Sequence, residues 1–326
     1  MKQVKIGLLG LGNIGTGTYK TLEMNRDQIT TATGTDIRIV KILERDTEKE
    51  RDINVKPEQF TQDINVIIND PEIDIVIELL GGIEPSSTFM LDAMNSGKSV
   101  VTANKAAVAA NWRTLNDAAS RNGVMFRFEA SVGGGIPILN ALTTVLQANQ
   151  YEEILGILNG TTNYILTQMT EYGLDYDDVL KIAQEKGFAE ADPTADVEGI
   201  DVANKLSILM ALAFEKYVAP GDIPTEGITK ITKKTLDLAK ANGCKVKLVA
   251  SAKKVGDKVE YSVGPMELPF SHPLAGVSNE FNAIFVKGNA VDELMFYGKG
   301  AGPLPTGSAV MGDVLEIAKV LASHEQ

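Results

Sequence analysis

The spacing of apolar positions divides the chain into short strands and helices. Residues 4–9 form an apolar run that reads as a first strand, and Gly10-Leu11-Gly12-Asn13-Ile14-Gly15 separates it from a helical run over 16–23. Further strands are expected at 37–43, 74–80, 99–102 and 124–129, with helices at 89–97 and from Ala103-Asn104-Lys105 onward. The run DIVIELL at 74–80 is apolar without alternation, as in a strand covered on both faces. Strands alternating with helices predict an α/β domain built on a parallel sheet.

The pattern changes after residue 130. ASVGGGI at 130–136 interrupts the alternation, a long apolar helix is expected over 137–147, and 154–158 reads as a strand leading into Asn159-Gly160-Thr161-Thr162-Asn163. That run suits either a loop against a ligand or a plain hairpin or helix cap. A helix is expected at 232–242, stopped by Gly243, and strands at 245–252, 259–266 and 283–287. The second region is therefore an α+β unit with a sheet of its own. Residues 296–306 read as a glycine and proline loop, and 308–323 as an amphipathic helix. The expected division is a dinucleotide-binding domain over 1–133, a second domain over 134–303, and a C-terminal helix within 304–326 that packs back on the first domain.

Two stretches carry chemistry. Strand, GxGxxG and helix in that order form the dinucleotide fingerprint: glycines permit a tight turn and close approach to a pyrophosphate, and a helix N-terminus faces the phosphates. Gly10, Gly12, Asn13, Ile14 and Gly15 are the expected contacts, in a Rossmann-type domain. Glu44, Arg45 and Asp46 follow the second strand. A carboxylate there fits the ribose hydroxyl of NAD and an arginine the 2′-phosphate of NADP; with both present, the preference stays open, and any of the three could be solvated charge. Gly81 follows the buried strand and Lys105 follows 99–102, at the carboxyl ends where open parallel sheets bind ligands, although position alone leaves Lys105 equally a plain surface charge.

The second stretch is 183–205, AQEKGFAEADPTADVEGIDVANK. It gathers Glu190, Asp192, Asp196, Glu198 and Asp201 before Lys205, with Gly187, Pro193 and Gly199 shaping a loop. Apolar spacing over 200–214 predicts a helix that places Asp201 and Lys205 one turn apart on one face. Such pairs decorate many solvated helices. Here the following LSILMALAF is almost wholly apolar, so the helix is buried and its polar first turn opens onto a loop or cavity. Lysine there is a candidate proton carrier, and Glu198 reads as surface.

Composition narrows the alternatives. A formal charge of −12 argues against nucleic acid or an anionic membrane as partner. The single cysteine, Cys244, excludes an intramolecular disulfide, and two histidines, His272 and His324, leave no convincing Ser-His-Asp set. No stretch approaches the roughly 18 to 20 apolar residues of a membrane span, and the N-terminal apolar run is too short for a signal peptide. The cytoplasm is the expected location.

ELLGG at 78–82, TANK at 102–105, EASVGGGIPI at 129–138, NGTTNYIL at 159–166, the 183–205 signature and GKGAGPLPTGSAVMGDV at 298–314 together resemble the homoserine dehydrogenase family. The resemblance implies NAD(P)-dependent interconversion of L-homoserine and L-aspartate 4-semialdehyde, in the route to threonine, isoleucine and methionine. It implies Lys205 as acid/base, Lys105 beside the reacting oxygen and the nicotinamide, and Glu190, Asp201, Asp196 and Gly187 about the substrate. Cofactor contacts extend by the same resemblance to Arg45, Gly81, Thr102, Lys105 and Gly302. A structural, sodium-like monovalent cation is implied at Glu129, Val132, Gly134 and Ile136, and a homodimer through the second sheet.

The lysine pKa of about 10.4 in water would have to fall by burial or a neighbouring cation, with Asp201 opposing the fall. Rival readings are a dehydrogenase of another small amino or hydroxy acid and a nucleotide sensor without catalysis. A semialdehyde dehydrogenase is disfavoured, because it needs a cysteine nucleophile with a histidine base. Many members of the family carry a C-terminal regulatory ACT domain, and this sequence ends soon after GKGAGPLPT. Activity titrated with threonine is therefore expected to show no cooperative inhibition; strong sigmoidal inhibition would contradict that expectation.

Overall fold

The computed structural model describes residues 2–323, so His324 lies outside the described residues. The chain forms two compact units, Met1–Gly135 with Ala301–Gln326, and Ile136–Gly300. Among the described residues no helix is long and apolar enough to cross a membrane.

In the first unit β1 (Lys2–Leu9) runs into α1 (Asn13–Met24), α2 (Arg26–Thr33) and β2 (Thr35–Leu43). Next come β3 (Phe60–Thr61), α3 (Asn65–Ile68), β4 (Ile75–Glu78), α4 (Ser86–Asn95) and β5 (Ser99–Thr102). The helices α5 (Lys105–Ala110) and α6 (Trp112–Asn122) precede β6 (Phe126–Arg127). All pairings are parallel and the order is β3-β2-β1-β4-β5-β6. The order reverses between β1 and β4, which opens a crevice at their carboxyl ends. Leu8 and Leu9 on β1, and Ile75, Val76 and Ile77 on β4, are fully buried, as expected of strands covered on both faces.

Two strands are shorter than their apolar runs. β4 stops at Glu78 because its carboxylate accepts the Leu80 N–H (2.8 Å) and Gly81 turns the chain at φ 80°. Past β6 the chain leaves the sheet for a single 3-10 turn, Glu129–Ser131, whose Glu129 N–H goes to the Asp313 carboxylate (2.9 Å).

The second unit contains β7 (Tyr151–Ile157), α7 (Gly160–Tyr172), α8 (Tyr176–Glu185), α9 (Thr194–Val197), α10 (Ile200–Ala213) and α11 (Lys233–Ala241). It continues with β8 (Cys244–Val255), β9 (Lys258–Pro269), β10 (Phe281–Gly288) and β11 (Asp292–Lys299). The sheet is antiparallel, in the order β11-β10-β7-β8-β9. Leu155, Ile157, Val249, Ala283 and Phe285 form its apolar core.

Two expectations fail here. The long helix over 137–147 is only a short wide turn at Ala141–Val145, since Leu146 N–H reaches back to Ala141 O (2.8 Å) and the Thr143 hydroxyl takes Leu139 O (2.8 Å). The loop over 296–306 is instead the end of β11, paired with β10 through Lys299, followed by α12 (Pro303–Ser323). Pro303 and Pro305 misled the sequence reading because they occupy a first helical turn, where a missing N–H costs nothing.

α12 belongs to the first unit and packs on α1 through glycine. A Cβ on Gly17 would lie 2.1 Å from Pro303 O, and one on Gly307 would lie 2.7 Å from the Gly17 carbonyl carbon. Gly307→Ala would gain roughly 1 kcal/mol in helix propensity and lose about 1–3 kcal/mol to overpacking. Because the obstruction is backbone, the loss should win, and urea denaturation should show a lower midpoint for the variant.

Candidate active site

The first unit supplies a cradle at the carboxyl end of β1. Gly10 takes φ 92°, and a Cβ on it would sit 2.9 Å from Leu79 O; one on Gly15 would sit 2.2 Å from Gly10 O. Only glycine permits this turn. Gly12 is the N-cap of α1 without a side-chain cap, and it and Asn13 are exposed. The first N–H groups of α1, including those of Asn13 and Ile14, therefore remain available to an anion.

Behind the cradle, Glu44 accepts the Leu11 N–H (2.9 Å), and Arg51 donates to Leu11 O (2.9 Å) while lying 3.2 Å from the Glu44 carboxylate. Arg51 was not legible in the sequence, since it stands in a loop without a motif. Arg45 is exposed beside them.

A chain of side-chain contacts fixes the neighbouring strand ends. The Thr102 hydroxyl donates to buried Glu78 (2.7 Å) and accepts the Asn104 N–H (3.0 Å). Asn104 caps α5 by accepting from Ala107 N (3.1 Å) and donates to Gly82 O (2.6 Å). Lys105, the half-buried first residue of α5, is held in this way at the carboxyl end of β5. Gly302, at φ 121°, immediately precedes α12.

The second unit holds a buried polar cluster. Lys205 Nζ donates to Asp201 Oδ2 (2.6 Å) and to Leu158 O (2.6 Å), and both side chains are nearly inaccessible, with relative exposures of 10% and 7%. This is the one-turn pair the sequence spacing predicts. Asn159, N-cap of α7 through Thr162 N (2.9 Å), donates its amide to Asp196 Oδ1 (2.7 Å) and Asp201 Oδ2 (3.0 Å). Gly199 at φ 81° turns the chain into α10 so that Asp201 enters the cluster. Burial pushes the Asp196 carboxyl above the ordinary carboxylate range; the Asn159 bond opposes this and the Asp201 charge adds to it.

The remaining acids stand apart. Glu190 is exposed, its backbone carbonyl held by Gln184 (3.1 Å), on the loop that Gly187 (φ 72°) begins. Asp192 receives the Thr194 hydroxyl (2.6 Å) and N–H (3.1 Å), which hold its carboxyl below the usual range. Glu198 accepts the Thr229 hydroxyl at the surface (3.0 Å). Asn159 opens the run that the sequence leaves between a ligand loop and a plain hairpin or helix cap; it caps α7 and is also a member of the cluster.

Around Glu129 the carboxylates are buried. Asp313 is pushed up to about 8, chiefly by burial, with the Glu129 N–H opposing and the Glu129 charge adding. Gly133 and Gly134 both take positive φ, 74° and 56°, just after Val132. Among the described residues no group of three or more His, Cys, Asp or Glu is placed to hold a metal ion.

Comparison with known proteins bears on both units. The model of the homoserine dehydrogenase NAD-binding domain matches residues 10–129, and that of homoserine dehydrogenase matches 137–315. The chain is 44% identical to the homoserine dehydrogenase of Bacillus subtilis over 319 residues, covering 98% of this chain and 74% of that one. Its structure is similar to that of a homoserine dehydrogenase from Thiobacillus denitrificans, with TM-score 0.96 and 42% identity, covering 99% of this chain and 75% of that one. A hyperthermophilic archaeal homoserine dehydrogenase in complex with NADPH matches with TM-score 0.79 and 25% identity, over 97% of each chain.

The raised pKa of Asp313 has a consequence for stability. Between its ordinary value of 3.8 and about 8, the folded state binds this proton more tightly than the unfolded state. Its contribution is therefore full below pH 4 and lost as pH rises through 8. Asp313→Asn should gain stability relative to the parent as pH goes from 4 to 8, measured by denaturant unfolding in buffer free of alkali cations; parallel curves would refute the assignment.

Proposed function

The chain belongs to the homoserine dehydrogenase family, and we propose that Lys205 is its acid/base, with Asp201 and the Leu158 carbonyl as the groups that aim it. The family's reaction is the NAD(P)-dependent interconversion of L-homoserine and L-aspartate 4-semialdehyde, a step of amino-acid biosynthesis. The observation that carries the proposal is the buried clamp on Lys205. An ammonium has three N–H donors, and two point at Asp201 and Leu158 O, so one remains for a substrate oxygen.

Hydride chemistry is supplied by the nicotinamide when the cofactor is bound. The chain's own residues must hold the substrate and move a proton. During reduction, Lys205 donates a proton to the aldehyde oxygen as the carbon gains its hydride, and the product is the primary alcohol of homoserine. During oxidation, neutral Lys205 accepts the hydroxyl proton. Asp201 stabilises the charged lysine and fixes its direction; the Asn159 amide holds Asp201 in turn and is itself held by Asp196.

Glu190, on the exposed loop begun by Gly187, is assigned to the substrate ammonium. Lys105 is assigned to the nicotinamide end of the cofactor, consistent with its position at the carboxyl end of β5. The pyrophosphate belongs on the Gly10 to Gly15 cradle and the N-terminus of α1, with Gly81, Thr102 and Gly302 along the same nucleotide. A structural monovalent cation is assigned to the run containing Glu129, Val132, Gly134 and Ile136, where buried Glu129 and two glycines at positive φ suit carbonyl and carboxylate donors. A homodimer through the second unit's sheet is part of the same reading, supported by the exposed apolar side chains Met295 and Tyr297 on β11. We assign the enzyme to the cytoplasm.

Lys205→Ala should lower turnover of homoserine by about 10²–10⁴-fold, the usual contribution of a positioned acid/base. NADPH binding should persist, as nucleotide fluorescence would show. A variant with near wild-type rate would refute the role.

A further inference from the structure

We propose that the ribose end of the nucleotide site is built for the 2′-phosphate of NADP(H), and that Arg51 is the positioning residue that sets this preference by occupying Glu44. The inference deepens the reading of the first unit as an NAD(P) site and rests on it.

The end of β2 is where this fold reads the adenosine ribose: a free carboxylate accepts from the hydroxyl, and a cation accommodates the phosphate. Three charged residues follow β2, and the structure gives them unequal freedom. Glu44 has both oxygens engaged. Oε2 receives Leu11 N–H (2.9 Å) and faces Arg51 Nη2 (3.2 Å), while Oε1 receives the N–H groups of Arg45 (2.8 Å) and Asp46 (3.2 Å). A carboxylate has about four acceptor sites, so a ribose hydroxyl arriving at Glu44 finds its acceptors taken and its charge paired.

Arg51 is held in that position on every side. Its Nε donates to Leu11 O (2.9 Å), Nη1 to Lys49 O (2.9 Å) and Nη2 to Asp46 O (3.0 Å), and its side chain is only 8% exposed. The second acid, Asp46, turns its Oδ1 to the Lys49 N–H (3.1 Å), closing its own turn. Arg45 differs from both: it is exposed, and no side-chain hydrogen bond or ion pair holds it among the described residues. The end of β2 therefore presents a free guanidinium next to a neutralised carboxylate. A 2′-phosphate, carrying about −1.5 to −2, meets attraction there, whereas a ribose hydroxyl finds no vacant acceptor on Glu44.

The test is equilibrium binding of NADPH and of NADH to the whole chain without substrate, read by nucleotide fluorescence, so that it is independent of turnover. The parent should bind NADPH at least tenfold more tightly than NADH, with the steeper salt dependence for NADPH that a charge contact gives. Arg45→Gln should remove most of the difference. Arg51→Gln should lower the NADPH-to-NADH preference by tenfold or more, because freed Glu44 then repels the phosphate and accepts from the ribose. Glu44→Gln guards against a folding defect in the arginine variant, and it should leave NADH binding within twofold of the parent.

Equal affinity of the parent for both nucleotides would overturn the proposal. So would selective loss of NADH binding in Glu44→Gln, or equal weakening of both nucleotides in Arg51→Gln, which is what a purely structural arginine would give. Selective NADPH binding without turnover of homoserine would sink the Lys205 assignment and leave this inference standing. Binding of neither nucleotide would overturn both the inference and the reading on which it rests.

Discussion

The second unit depends on one buried charge cluster, Lys205 with Asp201, Asn159 and the Leu158 carbonyl. Withdrawing an ammonium and a carboxylate from water costs several kcal/mol per ion, offset only where geometry and additional hydrogen bonds are good. Here the donors and acceptors come from three places at once: the end of β7, the N-cap of α7 and the first turns of α10. Asp201 in the first turn of α10 is favoured by the helix dipole, and Lys205 one turn on is favoured by Asp201. None of these groups would hold the others without the sheet that brings β7 against β8 and β10. The α+β architecture is thus the scaffold that makes a charged, aimed lysine tolerable in a nearly closed environment.

Asp196 shows where the cluster approaches its limit. Two carboxylates share the Asn159 amide, and the partly buried one is pushed toward its protonated form by desolvation and by the charge of the other. The cluster therefore carries one carboxylate paired with the lysine, Asp201, and a second, Asp196, whose carboxyl burial pushes above its ordinary range.

The first unit solves a different problem, the approach of an anion to backbone. Gly10 and Gly15 open the turn, and the N-terminus of α1 is left uncapped. The chain Glu78–Thr102–Asn104 sets where α5 begins, and the pair Glu44–Arg51 sets the back wall of the loop. The closing helix α12 rests on α1 at Gly17 and Gly307, so its position is fixed by the absence of side chains.

Local pattern by itself determined much of this. The parallel strands, the fingerprint glycines, the helix beginning at Ile200 and its Asp201–Lys205 pair follow from period, capping and i,i+4 spacing, which act within a few residues. The same local reasoning misplaced what depends on distant partners. Residues 296–299 look like loop until β10 pairs with them, and 137–147 looks like a helix until its backbone widens into one turn. Arg51, Asn159 and Asp313 acquire their meaning from residues 40, 42 and 184 positions away, at Leu11, Asp201 and Glu129. Hydrogen bonds and desolvation depend on which groups are neighbours in space, so only the tertiary structure decided which charges are paired, which are buried and which remain free to meet a ligand.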